Sequence, residues 1–228
     1  FQFATNGCFI IGPDYQLMEN GDRLNFNAAY RRYCNISGPA YFNGHQSCIV
    51  LPDPSERDRY YLIHNSKYWG DSAGTAAMLY THIDMQANGG LGRVTSKNNV
   101  LVGDSSIYGT VLTAVKHANG KDWWLINPLL YENGYVRFLL DSNGFSEPMY
   151  QYDIGRDWDP NGNYGCAAQF TPDGKKYIRW NSDDGTFIYR FDRETGLLSD
   201  FQWLDNRIDT SFLVFAGMAG SGRGRACR

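Results

Sequence analysis

The chain has 228 residues, 43% of them hydrophobic and 20% charged, with a formal net charge of −3. That is enough to bury a sizeable core in one large domain or two small ones, and the composition is that of a folded rather than a disordered chain. The near-neutral charge argues against wrapping a polyanion, so no nucleic-acid role is expected, and no run of about 18 apolar residues offers a membrane span.

Aromatic residues make up 15% of the chain (16 Tyr, 13 Phe, 6 Trp) beside 25 Gly, a mixture that favours strands joined by tight turns. The opening "FQFATNG" reads as a strand, with neither an initiator Met nor a signal peptide before it. "GCFIIG" and "DYQLMENG" continue in the same style. From Ser47 onward a four-part unit recurs. An apolar strand ("SCIVL", "VLTAV", "CAAQF") leads to a turn ("PDPSERD", "HANGKD", "TPDGKK"). An aromatic strand follows ("RYYLIHN", "DWWLIN", "KYIRWN"), then a third strand ("LYTHIDM", "YVRFLLD", "FIYRFD"), a Gly turn and a short fourth strand. Asn119-Gly120 and Asp173-Gly174 are strong hairpin signals. The Asn residues that close the aromatic strands (Asn6, Asn65, Asn127 and Asn181) lie 59, 62 and 54 positions apart.

Four-stranded antiparallel units of this length, repeated along a chain, predict the blades of an all-β propeller, here a partial ring of about three and a half to four blades. The expected blades are residues 1–44, 45–108, 109–163 and 164–208, with 209–215 opening another at "SFLVF" and 216–228 an irregular Gly/Arg-rich tail. The tail follows so abruptly that it reads equally as a natural end or as a truncation or frameshift. Leu62, Leu125 and Ile178 mark equivalent second strands, around which no long helix is expected.

His117, Asn119, Gly120, Asp122, Trp123 and Trp124 in "HANGKDWWLIN" look at first like an active site. Their recurrence in the other units makes them a structural motif instead: a strand, a turn and a strand. One Trp is expected on each face of its sheet. The cysteines (Cys8, Cys34, Cys48, Cys166, Cys227) include no C-x-x-C pair, which fits buried thiols with room for one bridge.

In combination, "TAVKHANGKDWWLI", "YYLIHN", "NGGLGRVTSKNNVLV", "FTPDGKKY" and "FDRETGLLSD" resemble the WD40-like β-propeller region of large secreted or cell-surface Bacteroidota proteins. Those proteins often end in a type IX secretion sorting domain or a gliding-motility-associated C-terminal domain. The resemblance covers residues 1–205 and implies a secreted or cell-surface binding scaffold without an established catalytic site.

Other motifs are weaker. Asp157, Asp159 and Asn161 in "DWDPNGN" open like a Ca²⁺ loop, but position twelve is Ala168 instead of a bidentate Glu, so at most weak Ca²⁺ binding is expected and no cofactor otherwise. "NSDDGTF" (Asn181 to Phe187) misses the sialidase Asp-box spacing by one. His45, His64, His82 and His117 show no metal spacing, and His64 and His82 are candidate cross-strand neighbours in one blade. "GSGRG" lacks the Lys-Ser/Thr of a P-loop. Trp69, Trp158 and Trp203 lie outside the repeated strand and offer a stacking surface.

Two functions follow. The first is a non-catalytic exported propeller that binds a protein or glycan, its ring completed by remaining blades of the same polypeptide. The second is a carbohydrate-active, glycosidase-like propeller enzyme with carboxylates in its funnel. Two or three clustered Asp or Glu with raised pKa values favour the enzyme, whereas funnel walls of Ser, Asn, Tyr and backbone favour the binder.

Overall fold

The computed structural model describes residues 1–27, 30–31, 34, 46–67, 75–103, 106–130, 132–156, 166–181 and 184–205. Fifteen strands stand among them and form three full antiparallel sheets and one small one. The first full sheet contains β3 (Cys48–Pro52), β4 (Arg59–Lys67), β5 (Thr75–Asp84) and β6 (Arg93–Val102) in chain order. In the second, β7 (Thr113–Lys116), β8 (Trp123–Pro128) and β9 (Gly134–Asp141) are followed by an outer strand in two pieces, β10 (Gly144–Phe145) and β11 (Met149–Tyr152), both paired to β9. The third contains β12 (Cys166–Phe170), β13 (Lys176–Asn181), β14 (Gly185–Phe191) and β15 (Leu198–Leu204).

Each sheet is a meander, and between the second and third sheets it is the first strands, β7 and β12, that approach each other. Three hydrophobic clusters fill the layers between consecutive sheets. Ile10, Met18 and Leu24 meet Leu62, Ile83 and Val94 in the first layer. Leu51, Ile63 and Met78 meet Leu125, Val136 and Phe138 in the second, and Trp124, Ile126 and Tyr135 meet Tyr177, Phe187 and Tyr189 in the third. Sheets sandwiched face to face, with their first strands innermost, are the blades of a β-propeller. Leu62, Leu125 and Ile178 pair with Val50, Ala114 and Gln169 respectively, each on the second strand of its blade.

The first copy, expected to begin at its second strand and to lack an inner one, is described only in part. Among its described residues only β1 (Ala4–Thr5) and β2 (Ile10–Ile11) pair as strands, and residues 12–27 continue as turns and isolated bridges. Tyr15, Asn20, Arg23 and Asn25 all take positive φ, which breaks the extended run that pairing requires. The segment is fastened to the next blade by side chains. Lys97 Nζ donates to the Asn20 and Asp22 carbonyls, and Asn98 Nδ2 donates to the Arg23 carbonyl. A disulfide joins Cys8 to Cys34.

Candidate functional site: the end of the long connections

A meander sends its connections alternately to two ends, and here the two ends differ. At the first, short turns join β3 to β4, β7 to β8 and β12 to β13 through residues 53–58, 117–122 and 171–175. At the other, the links from blade to blade are longer: 103–112 between β6 and β7, and 153–165 between β11 and β12. β4, β8 and β13 end here as well.

The "HANGKDWW" motif lies at the short-turn end. Asn119 Oδ1 accepts from the Lys121 and Asp122 backbone N–H groups, and Asn119 Nδ2 donates to Asp122 Oδ2 at 2.6 Å. Gly120 takes φ +72° to close the turn, as Gly174 does at +69° in the next blade. His117 Nδ1 accepts from the Asn119 N–H, and Nε2 donates to the Glu194 carbonyl at 3.1 Å. From the neighbouring blade, Arg193 donates to the Lys116 and His117 carbonyls, and its own carbonyl accepts from Trp124 Nε1 and the Ala118 N–H. Trp124 is 4% exposed in the third layer, whereas Trp123 packs on the second, with Lys116 Nζ 3.8 Å from the centroid of its ring. Asn119, Gly120 and Asp122 close the turn, while His117, Trp123 and Trp124 reach the neighbouring blades.

At the long-connection end the strand termini carry buried polar groups. Asn127 is fully buried, and its Nδ2 donates to the Tyr108 and Pro128 carbonyls at 2.8 and 3.1 Å. Asn181 is clasped by Asp184, donating to Oδ2 and accepting from its N–H, each at 2.9 Å. Tyr60, Trp123 and Tyr177 are the first paired residues after their turns, so four residues on the equivalent positions are His64, Asn127 and Asn181. Asn65 is therefore out of phase with the other two. One extra residue in "RYYLIHN" turns it to the opposite face, because side chains alternate along a strand. The even spacing of the asparagines concealed this shift.

The consequence is that Asn65 and Asn127 face the same layer from opposite blades. Asn65 Nδ2 donates to the Gly109 carbonyl at 3.3 Å, one residue along from the Tyr108 carbonyl that Asn127 uses. The Oδ1 atoms of both are buried with no hydrogen-bond donor among the described residues. A buried acceptor left unpaired costs about 1–3 kcal/mol.

His64 and His82 are not cross-strand neighbours, because His64 pairs with Leu79 and His82 with Tyr61. His64, 1% exposed, bridges Asn25 Oδ1 at 2.7 Å and Thr81 Oγ1 at 2.9 Å, and burial pushes its pKa down to about 3. His82, across the sheet, faces Asp53 Oδ2 and Thr95 Oγ1, each at 2.9 Å. Burial raises the Asp53 carboxyl, but hydrogen bonds from Ser55 and His82 outweigh it and hold the group below the usual range.

Near the axis, Gln46 makes a two-point clamp across the ring. Its Nε2 donates to the Ala168 carbonyl and its Oε1 accepts from the Ala168 N–H, both at 2.8 Å, while its own carbonyl accepts from the Leu112 N–H. The first strands of the blades (Cys48–Pro52, Thr113–Lys116, Cys166–Phe170) carry no Asp or Glu. Among the described residues there is no group of three or more His, Cys, Asp or Glu placed to hold a metal, and none of the resolved carboxylate shifts is upward. The Ca²⁺ candidates Asp157, Asp159 and Asn161 lie outside the described residues, as do His45, Trp69 and Trp158. Trp203 is described: its Nε1 donates to the Asp184 carbonyl and the Arg156 guanidinium lies 4.6 Å from its ring centroid. A groove of about 660 Å³ lies elsewhere, lined by Thr171, Lys176, Arg190 and Asp200 of the last described blade. No helix among the described residues is long and apolar enough to cross a membrane.

No protein-family profile matches the chain, and no curated protein sequence does. Among solved structures it is similar to a putative exo-β-1,3-galactanase from Bifidobacterium bifidum, at 11% identity and TM-score 0.40, over 71% of this chain and 53% of that one. It is also similar to a periplasmic gluconolactonase from Pseudomonas aeruginosa, at 12% identity and TM-score 0.40, over 85% of this chain and 46% of that one. A putative 6-phosphogluconolactonase from Bacteroides uniformis matches at 15% identity and TM-score 0.40, over 89% of this chain and 56% of that one. The chain thus spans about half the length of these proteins. What establishes blades in this chain is its own strand register and layering.

Proposed function

We propose that the chain is part of a carbohydrate-directed β-propeller that takes its ligand at the end of the long connections. The observation that supports this most is the character of that end. Its strand termini carry neutral amides (Asn65, Asn127, Asn181) buried between the blades, two of them with acceptor oxygens unpaired among the described residues, and the first strands that start at this end carry no Asp or Glu. Sugar hydroxyls are donors and acceptors without charge, so strand termini of neutral character suit an uncharged ligand better than an ionic one. Because Gln46 spans the axis between β3 and β12, a ligand is expected at the mouth rather than through the ring. The Cys8–Cys34 disulfide supports export to an oxidising compartment, which agrees with the resemblance to secreted propellers. Remaining blades of a longer polypeptide would complete the ring.

Hydrolysis is the second reading. The chain segments between β4 and β5, β11 and β12, and β13 and β14 carry Asp71, Asp157, Asp159 and Asp183, all outside the described residues. Calorimetry with a panel of neutral β-linked hexasaccharides tests both readings. Saturable binding without release of reducing sugar is the expected result. Release of reducing sugar that Asp71→Asn or Asp159→Asn abolishes establishes the enzyme, and absence of binding to every member overturns the carbohydrate reading.

A further inference from the structure

Tyr150 and Tyr152 alternate with Met149 and Gln151 on β11, so their rings share one face of the outer strand of the second blade. They are 39% and 53% exposed, and their planes lie within 9° of parallel, with centroids 5.9 Å apart. Exposed tyrosines on a strand ordinarily sample several rotamers. Here two features hold the strip in place. Tyr152 lies opposite Gly134 in the register, and a Cβ on that glycine would sit 3.3 Å from Tyr152 Cδ1, so the bare glycine lets the ring settle onto the sheet. On the other face, Gln151 grips the next blade: its Nε2 donates to the Leu198 carbonyl at 2.8 Å and its Oε1 accepts from the Leu198 N–H at 3.0 Å. β11 is thereby fixed on one face while its tyrosines lie on the other, the face of Val136 and Gly134.

We propose that Tyr150 and Tyr152 form a stacking rail for a neutral glycan chain, a subsite at the rim of the long-connection end. β11 reaches that end at Tyr152, so a chain on the rail leads toward the mouth. The negative π-face of an aromatic ring attracts the C–H-rich face of a pyranose, and the phenol hydroxyls bond its hydroxyl groups. Two parallel rings at this spacing suit successive units of an extended chain. The sequence of β11, "MYQY", carries no charge, which fits an uncharged ligand. A patch of two side chains is far smaller than the roughly 800 Å² per partner of a stable protein interface.

The inference rests on the carbohydrate reading, and one experiment separates the two. Cellohexaose, laminarihexaose and a β-1,3-linked galactohexaose are titrated by calorimetry into the parent, Tyr150→Ala, Tyr152→Ala, the double variant and Tyr152→Phe. For a hexasaccharide that binds the parent, each Ala variant is expected to lose about ten-fold in affinity, about 1.4 kcal/mol by the standard conversion. Tyr152→Phe is expected to stay within about three-fold, because the ring face is retained. Thermal melts of the Ala variants should stay within a few degrees of the parent, since both rings are largely outside the core. Parent-like affinity in the double variant overturns the rail and leaves the proposed function standing. No binding by the parent to any of the three overturns both.

Discussion

At the short-turn end of the second and third blades, Asn119, Asp122, His117 and Arg193 close on one another and on neighbouring carbonyls. At the opposite end, on β4 and β8, Asn65 and Asn127 each bury an oxygen that no donor among the described residues reaches. Polar residues at the first end complete backbone turns and latch blade to blade. At the second, part of the hydrogen-bonding capacity is left over. Satisfied networks fix architecture, and unsatisfied buried groups point to water, ions or ligands.

The widest break in this comparison is expected from Trp124→Ala at the latch. Trp124 is buried in the third layer and lies against Gly196, whose φ of +71° brings the next blade's turn onto the indole. Truncating a buried Trp costs about 3–5 kcal/mol, a large share of a total stability of roughly 5–15 kcal/mol. Urea titration should show a variant unfolded or barely folded at 25 °C. His117→Ala, at the edge of the same latch, should be much milder.

Asp53→Ala comes next, also at the short-turn end. It removes an acceptor of hydrogen bonds from Ser55 and His82, and bonds to charged groups contribute about 1.5–3 kcal/mol. The folded pKa is lowered, so this stability is present above the unfolded carboxylate value of about 3.9 and is lost as pH falls through the folded value. The variant should therefore converge on the parent in acid, measured as urea midpoints from pH 7 to pH 3.

His64 tests the long-connection end. The folded state keeps it neutral down to about pH 3, whereas the unfolded chain takes up a proton near pH 6.5. Stability is unaffected above pH 6.5 and falls as pH drops toward 3, by about 2 kcal/mol at pH 5. His64→Asn places at this position the residue type of Asn127 and Asn181, and should flatten the profile between pH 7 and pH 5. An unchanged slope would show that another group carries the acid sensitivity.

The smallest effect is expected from Asn119→Ala. It loses the turn's side-chain bonds but keeps Gly120, for a cost of about 1 kcal/mol. Differential scanning calorimetry should find a shift of a few degrees and no change in glycan binding.

Much of the fold was legible in sequence because each blade repeats the same local chemistry. "HANGKD" and "TPDGKK" both need a glycine at positive φ after an Asn or Asp that caps the turn, so spacing alone located the β7–β8 and β12–β13 turns. The phase of Asn65 was not legible. A one-residue slip leaves composition untouched and reverses the face, and only the register with β3 reveals it. Residues 12–27 also misled, since "DYQLMENG" is strand-like while its positive φ values break the pairing. The Gln46 and Gln151 clamps join positions 122 and 47 residues apart, and nothing local marks a glutamine that will bond across blades. Tyr150 and Tyr152 were passed over because sequence gives no measure of exposure or ring orientation.

The contrast between the two ends is tested most directly by hydrogen–deuterium exchange with and without a saturating β-linked hexasaccharide. The account predicts new protection in residues 106–112, 129–134 and 149–156, with residues 117–122, 171–175 and 192–197 unchanged and already slow to exchange. Protection confined to the 117–122 turn and its Arg193 latch would place the ligand at the short-turn end and contradict the account.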